Sequence, residues 1–391
     1  MRAHIQTLIG LTTLALAGGA AIAHAAEPAS ASPNWNGVWR GTIGPSTVQV
    51  CLQHEEYGDR GAYYYMRHLK IITLNTLDHP AGKDAVTWTE RADPNAPAKG
   101  PLWHVTSAKN GHLDGVWEGN GKSLPIALTA VAVKKDDDAG PCGSMAFSLP
   151  RFKKPVITTK PAKVDGVAYT RVLANLGEPF SESSFETFQL AGTSPAIRRI
   201  NAELYKDVPK DAEHAEYFQC SMQALSSGWD GSQTSELKPE TLTPGFMVEA
   251  DSEGWDCGGA HPDSGTTYAT WDLRKGTKID VYGLFTRAAL TRTVHAKGTA
   301  NEYTDITYAA PFKAMMVRAV QVDDAECKEA IETAETWSMR PTRGGMAFTP
   351  ELPHAVQACG DDGVIPYAKL ASYMTPDGKA LVAAFQAGAR K

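Results

Sequence analysis

The six cysteines of this 391-residue chain limit its folds more than any other feature. No two of them form a CxxC pair, so neither a thioredoxin-like redox motif nor a zinc ribbon is indicated. An even number of cysteines in a secreted chain indicates structural disulfides. Many pairings are conceivable, and the sequential one fits the domain division that the composition indicates. It joins Cys51 to Cys142, Cys220 to Cys257, and Cys327 to Cys359.

The first 25 residues have the pattern of a secretory signal peptide. A weakly basic start precedes a short run rich in Leu and Ala, and Ala23-His24-Ala25 supplies the small residues that a signal peptidase requires. We therefore expect residues 1–25 to be cleaved and the mature chain to be periplasmic or secreted. No later stretch is long and apolar enough to predict a membrane span.

The charge distribution argues against a nucleic-acid partner. The chain has 44 acidic and 38 basic residues, which gives a formal net charge of -6. Nucleic-acid-binding proteins usually present a basic face. The charges are also interspersed along the chain, so no basic arm for an anionic membrane is predicted.

Composition divides the rest of the chain into two folded parts. Residues 34–149 contain β-branched and aromatic runs, such as GAYYYMRHLKIITL, that are typical of half-buried strands and predict a β-rich domain. Residues 150–164, PRFKKPVITTKPAKV, combine three prolines with five basic residues and predict a linker. Residues 165–391 mix helical and strand patterns. The predicted fold class is α+β, with an amino-terminal all-β domain.

Two helical segments stand out in the second part. In TSPAIRRINAELYKDV, Ser194 is the predicted N-cap and Pro195 occupies the first helical position. The apolar residues that follow recur at helical spacing and predict one buried face. APFKAMMVRAVQVDDAECKEAIET, residues 310–333, is the longest stretch with a helical pattern.

The segment GWDCGGAHPDSGTTYATWDL, Gly254–Leu273, predicts a sharp bend before a strand. Gly258 and Gly259 permit positive φ or a bulge, and Pro262 suits a turn or a sheet edge. His261 lies at this bend. Three interpretations remain open for it: a structural histidine hydrogen-bonded inside the turn, a ligand contact on an exposed loop, or a catalytic or metal-binding group.

No motif completes a catalytic or metal centre around this bend. A zinc site needs further ligands at recognisable spacing, and the next histidine after His261 is His295. The sequence has no GxSxG, SxxK, HExxH or Walker motif. We therefore predict no catalytic residue, no metal and no cofactor. The candidate binding residues are His261, Asp263, Trp255, Tyr268 and Trp271.

The stretch GGAHPDSGTTYATWDLRKGTKIDVYGLF, Gly258–Phe285, resembles the signature of the domain-of-unknown-function 3298 family. The shared pattern is a Gly-Gly-Ala-His bend, a strand, a Lys-Gly turn, a second strand and a Leu-Phe end. PAIRRINAELYKD resembles the family's early helix and GVIPYAKLASYM its closing segment, so the resemblance covers about residues 190–391. MRPTRGGMAFTPELPHAVQACG departs from the family pattern through extra charge and a cysteine.

The resemblance implies an extracytoplasmic α+β domain with an antiparallel sheet. In some members of this family the domain is fused to peptidoglycan-deacetylase domains, and in others it forms the lysozyme-binding portion of an anti-sigma factor. It implies no catalytic residue, and His261 corresponds only to the motif histidine. The implied partner is peptidoglycan or an envelope protein such as a lysozyme-like hydrolase.

Three functions are consistent with the sequence. The first is a periplasmic, non-catalytic cell-envelope binding protein, which the secretion signal, the cysteines and the resemblance favour. The second is a secreted hydrolase or deacetylase of envelope polymer, in which His261 and Asp263 would form the acid/base pair. The third is a structural or assembly factor without a small ligand.

Overall fold

The computed structural model describes residues 33–56, 58–78, 85–91, 100–134 and 139–388. The predicted signal peptide, residues 1–25, lies outside this part of the chain. None of the described helices is long and apolar enough to cross a membrane.

Eight antiparallel strands of the amino-terminal part close into a barrel, each strand pairing with its sequence neighbour and the first with the eighth. The all-β prediction for this part is therefore confirmed. The strands are β1 (Gly37–Ile43), β2 (Ser46–Gln53), β3 (Arg60–Tyr65), β4 (Ile72–Asp78), β5 (Val86–Arg91), β6 (Leu102–Lys109), β7 (His112–Gly119) and β8 (Lys122–Val131).

Aromatic side chains fill the barrel around one carboxylate. Glu90 Oε1 accepts hydrogen bonds from the Tyr63 hydroxyl at 2.6 Å, from Trp103 Nε1 at 3.0 Å and from Trp117 Nε1 at 2.5 Å. Burial raises the pKa of Tyr63, and the neighbouring Glu90 raises it further. The barrel therefore has a packed aromatic interior, as small eight-stranded barrels commonly do.

A seven-stranded sheet follows, in spatial order β15-β14-β13-β12-β11-β10-β9. Its strands are β9 (Val156–Val164), β10 (Val167–Asn175), β11 (Ser184–Leu190), β12 (Ser232–Leu242), β13 (Phe246–Asp256), β14 (Asp263–Asp272) and β15 (Thr277–Ile279). Neighbouring strands are antiparallel except β11 and β12, which are parallel. A parallel pair needs a crossover, and helices α2 (Pro195–Leu204) and α3 (Glu216–Ser226) supply it. The sheet is therefore mixed.

The predicted linker at 150–164 differs from the structure over most of its length. Short helix α1 (Met145–Ser148) ends just before the predicted linker. A 3-10 turn (Leu149–Arg151) spans its start, and residues 156–164 form edge strand β9. Lysine and proline are common on edge strands, where they discourage pairing with other chains. The prolines and lysines here mark a sheet edge rather than a linker.

The carboxyl-terminal part packs around its own apolar core and against the seven-stranded sheet. It contains hairpin β16 (Leu290–His295) and β17 (Tyr303–Tyr308), and the three-stranded sheet β18 (Trp337–Pro341), β19 (Met346–Pro350) and β20 (Gly363–Ile365). The helices are α4 (Ala310–Ala319), α5 (Ala325–Thr333), α6 (Tyr367–Leu370) and α7 (Pro376–Gly388).

The two helical predictions have different outcomes. Ser194 caps α2 by accepting a hydrogen bond from the amide of Ile197, and Pro195 opens the helix, as predicted. The stretch 310–333 is two helices instead of one. Asp324 caps α5 by accepting a hydrogen bond from the amide of Cys327, so a new helix starts where the pattern indicated continuation.

Three disulfides form, in the predicted sequential pairing. Cys51–Cys142 ties barrel strand β2 to the chain that leaves the barrel. Cys220–Cys257 ties α3 to the bend after β13. Cys327–Cys359 ties α5 to the 3-10 helix His354–Cys359. Each bond therefore links two elements within one region of the chain.

One buried arginine joins the barrel to the seven-stranded sheet's helices. Arg151, which is fully buried, donates to the Leu69 carbonyl at 3.0 Å, to Ser221 Oγ at 3.2 Å and to Asp230 at 2.5 Å. Since Leu69 follows β3 and Ser221 lies on α3, this single side chain fixes the two parts against each other.

Candidate functional site

A cleft of about 1490 Å³ lies between the seven-stranded sheet and the carboxyl-terminal part. Its floor is formed by β10 to β14. Its wall is formed by Thr349–Leu352 and by residues 354–362, which we call the wall segment. Within the wall segment, residues 357, 358 and 360–362 line the cleft. This volume exceeds the range of about 300–1,000 Å³ that is usual for small-molecule pockets. The cleft therefore has room for a segment of a larger ligand.

Two parallel rows of residues, with a hydroxyl side chain from each of β11 to β14, make up the centre of the floor. Strands lie about 4.8 Å apart, so a row that crosses four strands is about 14 Å long. The strand register places Ser184, Thr234, Gly254 and Ser264 in one row, and Glu186, Glu236, Ser252 and Thr266 in the next.

The rows are polar because alternate residues of the strands face opposite sides of the sheet. Ser252 and Thr266 face the cleft, and their hydroxyl oxygens lie 3.0 Å apart. On the other side, Met247 and Trp271 pack against Ile200 of α2. Gly254 leaves the middle of the first row without a side chain, which permits close approach of a ligand.

The two carboxylates of the floor rows are paired with basic side chains. Glu186 accepts a bidentate hydrogen bond from Arg171 on β10. Glu236 lies 2.9 Å from Lys238 Nζ on the same strand. The centre of the floor is therefore polar with little net charge, and it offers hydroxyl groups as donors and acceptors.

The wall is attached to the floor by two sets of contacts. Gln357 Nε2 donates to the Ser264 carbonyl at 2.6 Å, which joins the wall segment to β14. The Cys327–Cys359 disulfide holds the same segment to α5. The wall is therefore anchored from both sides.

Arg340 forms the second attachment, at the Asp362 end of the wall segment; we call this end the inner end and the His354 end the rim. Its side chain is 4% exposed and makes a bidentate hydrogen bond to Asp362 on the wall. Its Nε donates to Glu240 on β12 at 2.7 Å, and its guanidinium lies over the Tyr268 ring on β14 at 3.8 Å. One side chain thus fixes a wall carboxylate and a floor aromatic ring in place.

The charges at this attachment stabilise each other. Burial acts to raise the pKa of Asp362, but hydrogen bonds from Arg340 and Thr349 outweigh it and hold that pKa below its usual value. Burial likewise acts to lower the pKa of Arg340, whereas Asp362 and Glu240 raise it above its ordinary value. Both groups are therefore charged at neutral pH.

Two other wall carboxylates face the cleft. Glu351 and Asp361 are exposed, line the cleft, and form no ion pair with any residue in the described ranges. The wall therefore carries negative charge opposite a nearly neutral floor.

The Gly-Gly-Ala-His bend lies at the rim of this cleft and is packed against α3. Gly258 has a φ of +93°, and a Cβ there would lie 2.9 Å from the Ala224 Cα atom. A glycine is therefore required at this position for the chain to turn beside the Cys220–Cys257 disulfide. The bend delivers β14, with Ser264 at its start, to the cleft.

His261 is exposed at this rim and stacks on His354 of the wall segment. The two ring centroids are 4.0 Å apart, and the ring planes differ by 9°. His261 Nδ1 lies 3.1 Å from the Pro262 carbonyl. Asp263 Oδ1 lies 3.4 Å from His354 Nδ1, so Asp263 forms its ion pair with His354 and not with His261.

The three aromatic candidates have different positions. Tyr268 lines the cleft, with one face covered by Arg340. Trp255 is 37% exposed at the end of β13, opposite Asp263 in the register, and does not line the cleft. Trp271 is 5% exposed in the core beneath α2. Its position on β14 points the Trp271 side chain to the side of the sheet that faces away from the cleft.

The sequence did not single out several residues that shape this site. Arg340, Glu351 and the two floor rows were missed. The hydroxyl alternation in DSGTTYATWD, which forms β14, was the available signal for the floor. No comparable local signal marks Arg340, since its partners lie 22 and 100 residues away in the chain. Within the described residues, no group of three His, Cys, Asp or Glu side chains is arranged to hold a metal ion.

No family model and no curated protein matches the sequence. Two solved structures are similar to the chain. A domain-of-unknown-function 3298 family protein from Pseudomonas aeruginosa PAO1 matches 57% of this chain and 96% of its own, at 14% identity and a TM-score of 0.33. A member of the same family from Bacteroides fragilis matches 60% of this chain and 96% of its own, at 13% identity and a TM-score of 0.37.

Both neighbours belong to the family whose signature the stretch Gly258–Phe285 resembles. No residue role is transferred from either structure.

Proposed function

We propose that this protein is a non-catalytic binding protein of the cell envelope and that the cleft is its binding site. The main observation in favour is the pair of floor rows, which present hydroxyl groups across four strands in a cleft of about 1490 Å³. The three disulfides fit a protein that matures in an oxidising compartment.

The ligand best suited to this floor is an extended, hydroxyl-rich polymer, and we take peptidoglycan to be that ligand. Ser252, Thr266 and Ser264 can both donate and accept hydrogen bonds, as sugar hydroxyl and acetamido groups require. Each row is about 14 Å long, which suits an oligomer better than a single ring. The paired states of Glu186 and Glu236 keep the centre of the floor from repelling an uncharged chain.

The test is incubation of the mature protein with insoluble peptidoglycan sacculi, followed by centrifugation and assay of both fractions. The proposal predicts protein in the pellet and neither soluble fragments nor acetate in the supernatant. Product release that His261→Ala abolishes in a folded protein would instead support the hydrolase or deacetylase alternative. Absence of both binding and release would leave a structural or assembly role as the better account.

A basic protein, such as a lysozyme-like hydrolase, is a second candidate ligand. The wall carboxylates Glu351 and Asp361 favour it, since they have no described ion-pair partner and face the cleft. Binding of a basic protein through exposed carboxylates would weaken steeply with added salt, because exposed charges are screened over about 10 Å at 0.1 M ionic strength. Binding of a glycan through hydroxyl groups would change little.

A further inference from the structure

Two attachments hold the wall of the cleft to β14. The charge of one does not change in mild acid, whereas the other contains histidine side chains, whose charge can change. At the inner end, Arg340 binds Asp362, and an arginine keeps its charge throughout the physiological range. At the rim, the contact is the stack of His261 on His354, supported by Gln357 donating to the Ser264 carbonyl. Histidine is the side chain whose charge ordinarily changes between pH 5 and 8.

The geometry of the stack makes it sensitive to that change. Two neutral imidazole rings pack favourably at a centroid distance of 4.0 Å with nearly parallel planes. Protonation of both rings places two positive charges about 4 Å apart, where like charges repel even in water. Asp263, 3.4 Å from His354, offsets one of the two charges, and the repulsion between two charged rings acts to separate them.

We infer that the His261–His354 stack is a pH-sensitive latch, which releases the rim end of the wall segment in mildly acidic conditions while Arg340 holds the inner end. Its link to ligand binding rests on the proposed function of the cleft. Release displaces Gln357 and Ala358, the cleft-lining wall residues that precede Cys359. The cleft therefore widens at the rim as the pH falls from 7.5 to 5.0.

Other charged groups on the neighbouring elements act on the same segment. Among the residues that the structure describes, Asp263 is the only ion-pair partner within 4 Å of either histidine ring. The elements packed against the latch, and the ends of the wall segment, carry Asp256, Asp324, Glu326, Lys328, Asp361 and Asp362. Because these charged groups lie nearby, the test needs variants that remove only the histidine charge.

The latch is tested by hydrogen exchange of the backbone amides of residues 354–362 at pH 7.5 and 5.0, corrected for the intrinsic pH dependence of exchange. We expect corrected exchange to be about fivefold faster or more at pH 5.0 in the wild-type chain. His354→Phe and His261→Phe each keep an aromatic stack that cannot carry two charges, and both should lose the pH response. His214→Phe, a change at an exposed histidine paired with Asp211, should keep it.

Equal corrected exchange at the two pH values in the wild-type chain would overturn the latch. So would a pH response of unchanged size in both phenylalanine variants at 261 and 354. The measurement uses no ligand, so its outcome is separate from binding to sacculi. Binding that is insensitive to an observed opening would leave the latch in place and remove its effect on the cleft.

Discussion

The guanidinium of Arg340 lies 3.8 Å from the centre of the Tyr268 ring, and this contact joins β18 to the floor of the cleft at β14. The same guanidinium holds Asp362 on the wall and Glu240 on β12. The shape of the inner cleft therefore depends on one buried cation whose partners come from three separate segments.

Replacement of Arg340 by methionine should lower the free energy of unfolding by about 1.5–3 kcal/mol, because the buried guanidinium loses its charge-assisted hydrogen bonds to Asp362 and Glu240, whose side chains are each about a third exposed. Urea unfolding at pH 7.5 measures the change. Arg274→Met is the matched control, since Arg274 also lies over an aromatic ring, Phe246, but its side chain is 64% exposed. That control should lose less than about 1 kcal/mol. Similar losses in the two variants would show that Arg340 is no anchor.

Replacement of Glu249 by glutamine should stabilise the protein at neutral pH and have no such effect in acid. Burial raises the pKa of Glu249 above its usual value, although the nearby Lys278 acts to lower it. A carboxyl group with a raised folded-state pKa costs stability when it is ionised, at pH values above that pKa. The cost fades as the pH falls through the folded-state pKa and is gone below the unfolded value.

Thermal unfolding of the wild-type protein and Glu249→Gln at pH 7.5 and pH 4 tests the direction of this stability change. The gain should be present at pH 7.5 and diminish at pH 4. Glu203→Gln is the control, because the pKa of Glu203 is shifted in the opposite direction: a hydrogen bond from Lys206 lowers it. A destabilised Glu249→Gln protein at pH 7.5 would mean that the ion pair with Lys278 outweighs burial.

Removal of the Cys327–Cys359 disulfide, by serine at both positions, should lower the free energy of unfolding by about 3–4 kcal/mol. The bond closes a loop with a sequence separation of 32, and its loss increases the chain entropy of the unfolded state. Because Cys359 ends the 3-10 helix of the wall segment, hydrogen exchange at 354–362 should also rise. An increase in exchange that is no larger there than in the barrel would contradict the anchoring role of this bond.

Replacement of Arg151 by methionine should cost about 3 kcal/mol, since hydrogen bonds to a charged group contribute about 1.5–3 kcal/mol and this cation is fully buried. The free energy of unfolding in urea measures the loss. Lys154→Met, an exposed change three residues away, should have little effect. Equal stability of the two variants would show that the barrel and the seven-stranded sheet do not depend on Arg151 for their attachment.

Features that depend on local chemistry were predictable from the sequence. Ser194 and Pro195 marked the start of α2 because capping needs only neighbouring residues. The sequential cysteine pairing was the one that fitted the predicted division of the chain, although that division alone did not separate the last four cysteines. The bend at Gly258 was predictable because two glycines and a proline surround it.

The cleft was not predictable, because its residues meet only through distant pairings. Gln357 and Ser264 are 93 positions apart, and Arg340 and Glu240 are 100 positions apart. The side of the sheet that a strand residue faces also depends on register, so the sequence did not show that Tyr268 lines the cleft while Trp271 lies on the other side. Strand β9 was mistaken for a linker because edge strands and linkers share lysine and proline.

The most direct test of the proposed binding site is co-sedimentation with peptidoglycan sacculi of the wild-type protein, Thr266→Trp and Thr304→Trp. Thr266 lies in the cleft floor, whereas Thr304 is an exposed residue of β17 that does not line the cleft. We predict that the wild-type protein and Thr304→Trp bind equally, and that the tryptophan at 266 weakens binding about tenfold or more by filling the floor. Equal binding by Thr266→Trp, or no binding by the wild-type protein, would contradict the account.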